Sequence, residues 1–259
     1  YIPATETCLR VGGYVEYQFF GGDLFARPAL DHSDGTVNDA WNQRTRFELW
    51  VNTAAETELG TLKTETRTRI DWSNGGGTAV SLNGAWIDLA GLRMGKDDSN
   101  FSTFLGYAGN VINDTLVPYG PFDTNFISYT FTGGNGFSAM IGAEEGTSLG
   151  GGAYGHDYTI DSYVPHFVAG AKITQGWGGF GVVGGYDSIH EQWAVKARLD
   201  VNVTDSFSAF VMAGYGSDDV ETNPASPDFG GSFNYYKPWG GEWAVWGGAT
   251  AKFNEKAAF

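Results

Sequence analysis

Three features of this 259-residue sequence predict an all-β fold, a transmembrane antiparallel β-barrel. The first is unbroken alternation of apolar and polar residues over runs of about ten, the length at which a tilted strand crosses a bilayer. The second is a sorting of the connections, short ones alternating with long ones. The third is the lack of any apolar run near the ~20 residues a membrane helix needs, in a chain with 39 glycines, 15% aromatic residues and slightly negative mean hydropathy.

Twelve strands follow in order, at 8–20, 43–54, 60–72, 79–90, 92–97, 124–132, 137–145, 167–175, 177–187, 191–203, 206–216 and 242–253, and a thirteenth begins at Ala257. The first sends Leu9, Val11, Val15, Tyr17 and Phe19 to one face, and Arg10, Tyr14, Glu16 and Gln18 to the other. In the second, Phe47, Leu49 and Val51 oppose Arg44, Arg46 and Glu48. In the third, Leu62, Thr64, Thr66, Thr68 and Ile70 oppose Lys63, Glu65, Arg67, Arg69 and Asp71. The seventh sets Phe137, Ala139, Ile141 and Ala143 on its apolar face. The tenth and eleventh show the pattern best. Trp193, Val195, Ala197, Leu199, Val201 and Val203 alternate with Ala194, Lys196, Arg198, Asp200 and Asn202, and after a Thr204-Asp205 turn Phe207, Ala209, Val211, Ala213 and Tyr215 resume it. The twelfth places Trp243, Val245, Ala249, Ala251 and Phe253 outward and Lys252 inward. A dry core would desolvate those charges at heavy cost, whereas a water-filled interior would not.

The short connections lie at 55–59, 90–91, 133–136, around 176, 204–205 and 254–256, and the long ones at 21–42, 73–78, 98–123, 146–166 and 217–241, with 188–190 the brief exception. Tight turns on one rim and long loops on the other belong to membrane barrels rather than to sandwiches or propellers. Phe19, Phe20, Trp41, Trp50, Trp72, Tyr186, Trp193, Tyr215, Trp239 and Trp243 near strand ends fit two interfacial girdles. No linker or charge block divides the chain, so residues 1–259 read as a single domain.

A formal charge of −15 argues against nucleic acid as a partner, since a phosphate-binding surface needs basic character. The single cysteine, Cys8, is either an inert small residue or half of a disulfide whose partner lies upstream of Tyr1. No signal peptide is visible at Tyr1.

Five of the eight arginines, Arg44, Arg46, Arg67, Arg69 and Arg93, fall in the second, third and fifth strands. With Lys63 they form a basic ladder on one stretch of the inner wall. The 98–123 connection holds Asp98 and Asp114 and is flanked by Asp97 and Asp123. A loop that long inside a compact domain is usually functional. Folded into the lumen, it would narrow the pore and set carboxylates opposite the arginines, and the resulting charge rings would bias ion passage. The plainer alternative is that the arginines pair with Glu48, Glu65, Asp71 and Asp88 on neighbouring strands.

Signatures of catalysis are weak, and no catalytic residue, metal site or cofactor is assigned. Gly146-Thr147-Ser148-Leu149-Gly150, with His156-Asp157 close by, matches a nucleophile elbow, but no helix follows it. Gly134-Asn135-Gly136-Phe137-Ser138-Ala139 resembles a dinucleotide fingerprint but opens a strand, so it reads as a hairpin turn. His32, His156, His166 and His190 lack metal-ligand spacing. Asp218, Asp219, Glu221 and Asp228 could bind a divalent cation, but a solvated loop is the simpler reading.

Segments along the whole chain, Tyr1–Val15, Glu56–Thr64, Gly91–Gly95, Gly109–Asp114, Ile127–Ser138 and Trp239–Gly248, resemble the general diffusion porins of alphaproteobacterial outer membranes. The resemblance implies a sixteen-stranded barrel, usually a homotrimer, set in outer-membrane lipid and lipopolysaccharide of a Gram-negative bacterium. It implies passive diffusion of small hydrophilic solutes and ions, with the loop after the fifth strand as the constriction loop. Such porins begin with an extra segment carrying a second cysteine, which would account for Cys8 standing alone, and they continue for several strands past the position of Phe259. Twelve strands and a stub would leave open edges that hydrocarbon does not tolerate. The expectation is therefore a sequence lacking about four strands, the alternative a natural shorter barrel. Two other functional readings are a solute-specific sugar or anion channel, and a soluble β-sandwich lectin with its apolar faces buried between two sheets.

Overall fold

The computed structural model describes residues 6–22, 26–109, 117–147, 157–217, 234–254 and 257–258. Asp114, His156, the acidic residues at 218, 219, 221 and 228, most of the 146–150 elbow motif and Phe259 lie outside the described residues. Two compact units divide the chain, Tyr1–Leu89 and Ala90–Phe259.

The first unit contains β1 (Cys8–Phe20), β2 (Arg27–Leu30), β3 (Val37–Ala40), β4 (Asn42–Thr57), β5 (Gly60–Ser73) and β6 (Thr78–Leu89). β1, β4, β5 and β6 pair antiparallel in that order. The Glu58-Leu59 turn is closed by Thr57 Oγ1 donating to Gly60 O at 2.7 Å, with Gly60 at φ 120°, where a side chain would be strained. β2 and β3 form a separate hairpin inside the 21–42 connection, where the sequence predicts only a long loop. Four-residue strands are too short to show a period. The hairpin is held instead by its turn, where Asp31 Oδ1 accepts from Ser33 N (2.8 Å) and Asp34 Oδ1 from Thr36 N (2.9 Å).

The second unit contains β7 (Leu92–Asp97), the one-turn helix α1 (Asn100–Thr103), β8 (Thr124–Thr132), β9 (Phe137–Glu144), β10 (His166–Gln175), β11 (Gly178–Asp187), β12 (Gln192–Thr204), β13 (Phe207–Gly216), β14 (Trp243–Asn254) and β15 (Ala257–Ala258). Its strands pair antiparallel, each with the next, from β7 to β15. The 134–136 turn is the hairpin that its glycines announced, with Asn135 at φ 59° and Gly136 at φ 74°.

Burial is inverted relative to a water-soluble protein, as the alternation requires. Val15, Val80, Ile141 and Val245 are 74%, 68%, 63% and 55% exposed, while Glu48, Glu144 and Lys196 are 5%, 1% and 0% exposed. Each exposed aliphatic side chain of this kind would forgo about 1.5–3 kcal/mol in water that an apolar surrounding supplies. A sandwich would cover these faces with a second layer, so the lectin reading is overturned by their exposure.

Not every aromatic expected in a girdle belongs to one. Phe19, Trp41, Trp72, Trp193, Tyr215 and Trp243 are exposed on the apolar face. Trp239 is instead buried against Trp246, with ring centroids 5.3 Å apart. Trp50 turns to the polar face, beside Tyr14 and flat over Gly12, where a Cβ would come within 2.4 Å of its Nε1. Position near a strand end did not reveal the face, because parity decides it.

Candidate functional site

The polar face of the first unit carries the ladder of Arg44, Arg46, Lys63, Arg67 and Arg69. Register places Arg46 opposite Asp71, Glu48 opposite Arg69, and Lys63 opposite Asp88. Arg46 makes a two-pronged pair with Asp71, Nε to Oδ1 and Nη2 to Oδ2 both at 2.7 Å, the geometry that a planar guanidinium and carboxylate favour. Arg69 donates to Glu48 Oε2 through Nε at 2.9 Å, and Tyr14 and Asn83 donate to the same oxygen. Arg44 reaches Glu16 at 3.4 Å and also bonds Gln18. Arg67 lies 3.3 Å from Glu65, whose other oxygen takes a hydrogen bond from Asn52 at 2.6 Å. The bulge between Arg67 and Thr68 slips one residue of β6, which brings Asn83 to Glu48.

The arginines and carboxylates thus form one lattice of alternating sign. Arg67 also needs Gly84 opposite it, since a Cβ there would stand 2.9 Å from its Nε.

The described part of the 98–123 connection lies on the polar face of the second unit's own sheet. Its fixed point is Glu144 on β9, which accepts from Ser99 Oγ (2.7 Å), Asn100 N (2.7 Å), Asn100 Nδ2 (3.0 Å) and Tyr236 Oη (3.1 Å). Ser99 caps α1, its Oγ accepting from Phe101 N at 3.1 Å. Further along, side chains of β10, β12 and β14 donate to backbone carbonyls of the loop. Lys172 Nζ bonds Phe104 O (2.7 Å), Arg198 Nη1 bonds Tyr107 O (2.5 Å), Lys196 Nζ bonds Tyr119 O (2.6 Å), and Trp246 Nε1 bonds Val117 O (2.8 Å). Lys196, fully enclosed, also sits 4.4 Å from the Phe101 ring centroid.

The three described members of the expected acidic set, Asp97, Asp98 and Asp123, have local partners. Asp97, buried at the end of β7, pairs with Arg93 at 2.5 Å, Asp98 accepts from Tyr107 Oη at 2.7 Å, and Asp123 pairs with Lys96. Cys8 opens β1 as an exposed free thiol opposite Ala54.

Sequence reasoning missed Glu144, Lys172 and Tyr236 as holders of the loop. Lys196 and Arg198 were visible as inward cations, but carbonyl acceptors carry no side-chain signature, so their partner was not.

A second hub in this unit joins three loops. Asp187 Oδ1 accepts from Ile189 N at 2.9 Å, and its Oδ2 accepts from Tyr235 N at 2.9 Å and meets His190 Nδ1 at the same distance. His166 completes it, Nδ1 accepting from Ser188 N (3.0 Å) and Nε2 meeting Tyr158 O (2.8 Å). Most of these hydrogen bonds hold backbone, from Ile189 N, Tyr235 N and Ser188 N to Tyr158 O.

Comparison with known proteins agrees with this architecture. The family model described as the porin subfamily matches residues 1–259. The porin Omp2b of Brucella suis is 46% identical over 271 residues, covering the whole chain and 70% of the relative, and that of Brucella canis is 45% identical over the same span. Among solved structures, the outer-membrane channel DcaP of Acinetobacter baumannii aligns over 96% of the chain and 75% of its own, with a TM-score of 0.62 at 17% identity. A variant of the Rh. blastica porin aligns over 97% and 92% with a TM-score of 0.50 at 14% identity. These two likenesses concern the fold.

Proposed function

The chain belongs to the porin subfamily, and on that premise we propose how its charged surfaces act in the channel. It is an outer-membrane β-barrel porin of Gram-negative type, a channel rather than an enzyme, through which small hydrophilic solutes and ions pass by passive diffusion. The observation that carries this is the inverted burial: aliphatic side chains stand exposed on one face of the strands, and ion pairs lie on the other.

The arginine–carboxylate lattice of β1, β4, β5 and β6 borders the water path. Its paired charges keep the wall wettable and impose a field across the bore rather than a uniformly positive surface. The 98–123 loop, pinned at Glu144 and along the row of carbonyl-binding cations, is the element that narrows the bore. Rigid anchoring supports this, because a constriction defines an exclusion size only if it holds its position. The exposed apolar face meets outer-membrane lipid and lipopolysaccharide, and the porin works as a homotrimer, as the resemblance implies.

Reversal potentials in planar bilayers under a salt gradient test the wall. Replacing Arg67 and Arg69 with glutamine leaves Glu65 and Glu48 uncompensated, so selectivity should move toward cations. An unmoved reversal potential would remove the lattice from the water path. Cross-linking in detergent tests the trimer, which a purely monomeric pattern would overturn.

A further inference from the structure

On the polar face of β12, β13 and β14, two rows run across the strands in register. Asp200, Phe210 and Gly248 form one row, and Asn202, Ser208 and Thr250 form the next. The loop residues Tyr107 and Gly109 complete the lining, and together they form an open recess of about 270 Å³. We propose that this recess is a solute subsite of the channel, and that it takes a neutral, polyhydroxylated solute of monosaccharide size. The inference rests on the pore reading above.

Charge decides the class. Arg198 donates to Asp200 through Nε and Nη2, at 2.8–3.1 Å, and spends Nη1 on Tyr107 O. Its guanidinium also lies 4.1 Å from the Phe210 ring centroid. Each of its three nitrogens is thus engaged, and the ion pair presents little net charge for a solute anion. What stays accessible is the outer side of the Asp200 carboxylate, whose side chain is 44% exposed, as an acceptor for hydroxyl groups.

The second row adds groups suited to hydroxyls. Asn202 spends its Nδ2 on Gly176 O at 3.1 Å, which leaves its side-chain oxygen turned to acceptor duty. Ser208 and Thr250, cross-strand neighbours, each supply a hydroxyl that donates and accepts. Tyr107 supplies an apolar wall, one ring face stacked on Phe122 at 6.4 Å and the residue 40% exposed. A small pocket with one aromatic wall and several uncharged hydrogen-bonding groups fits a sugar ring better than an ion.

Phe210 lies flat in the first row only because position 248 is glycine; a Cβ there would meet its Cε1 at 2.7 Å. The recess therefore depends on that glycine.

The test is single-channel conductance of the porin in planar bilayers, with D-glucose added to the potassium chloride bath. Polyethylene glycol of matched size serves as the viscosity control, and gluconate as the charged counterpart. The proposal expects a saturable fall in current beyond the control, stronger for glucose than for gluconate. Normalised to each protein's own current without solute, a Ser208→Ala, Thr250→Val double variant should need several-fold more glucose for half of that effect. A linear fall identical to the control, or an effect unchanged in the double variant, overturns the subsite while leaving the pore intact. Preference for gluconate overturns the neutral class. Absence of any conductance overturns the pore reading and the subsite with it.

Discussion

Glu144 Oε1 receives both N–H groups that Asn100 offers, the backbone one at 2.7 Å and the side-chain amide at 3.0 Å. β9 thereby takes hold of the 98–123 connection at the first turn of α1. Glu144 is buried and acts as the acceptor for four donors, two of them from Asn100 and one each from Ser99 and Tyr236. Two separate connections, 98–123 and 217–241, therefore end on one carboxylate.

Replacing Glu144 with alanine should strand these donors in a dry site, at about 1–3 kcal/mol for each left unsatisfied. The loop should then detach before the strands do. Limited proteolysis should cut within 98–123 while the β-sheet signal in circular dichroism persists, and open-channel current noise should rise. Glutamine at 144 keeps the shape but offers one acceptor oxygen, so its effect should be intermediate. Equal resistance of all three proteins to protease would show that the loop is held elsewhere.

Lys196→Met tests whether the row of cations acts on the loop by hydrogen bonding. Methionine nearly matches the lysine stem but leaves Tyr119 O without its donor. The expected loss is about 1–3 kcal/mol, read as a lower midpoint for heat-induced loss of the folded barrel in detergent. Lys172→Met should act in the same direction, more weakly, since Lys172 is only partly buried. If Lys196→Met raises the midpoint, the cost of burying the ammonium outweighs its bond.

Most of the strands were legible because parity is a one-dimensional signal: Val11, Val15 and Tyr17 against Tyr14, Glu16 and Gln18 requires no knowledge of neighbours. The basic ladder was legible for the same reason, since Arg44, Arg46, Arg67 and Arg69 share a face. Their pairing was not, because Arg46 meets Asp71 only through a register that the sequence does not display. The holders of the loop were still less visible. Lys172, Lys196 and Arg198 grip carbonyl groups of Phe104, Tyr119 and Tyr107, and any residue type offers a carbonyl. The β2–β3 hairpin escaped because its order comes from Asp31 and Asp34 bonding their own turn, with too few residues on either side to alternate.

That hairpin carries a pH prediction. The Ser33 and Thr36 hydrogen bonds hold the Asp31 and Asp34 carboxyls below the usual aspartate range. A carboxylate with a lowered folded-state value stabilises above the ordinary value of about 3.9 and loses that contribution as pH falls through the lowered one. Ser33 and Thr36 amides should therefore keep their exchange protection at pH 5 and lose it only below about pH 4. Asn substitutions at 31 and 34 should remove this acid dependence. Loss of protection between pH 5 and 7 would contradict it.

Adjacent glycines on β11 provide an internal control for packing. A Cβ built on Gly185 would stand 2.5 Å from Tyr236 Cγ and under 3 Å from both Cδ atoms, in the middle of a buried ring. At Gly184, one residue earlier on the opposite face, the nearest atom is Ala194 O at 3.7 Å. The ring cannot slide far, because its hydroxyl is bound to Glu144 and its centroid lies 5.2 Å from that of the Phe101 ring. Gly185→Ala should therefore cost about 1–3 kcal/mol by overpacking, lower the thermal midpoint and disturb the same loop that Glu144 holds. Gly184→Ala should leave the midpoint within about 0.5 kcal/mol of the parent, as expected away from such features. Because both changes add one methyl group to one strand, a difference between them reports the face rather than the strand. Equal midpoints would mean that Tyr236 does not rest on Gly185, and that the 217–241 connection is held by its hydrogen bonds to Glu144 and Asp187 rather than by packing on β11.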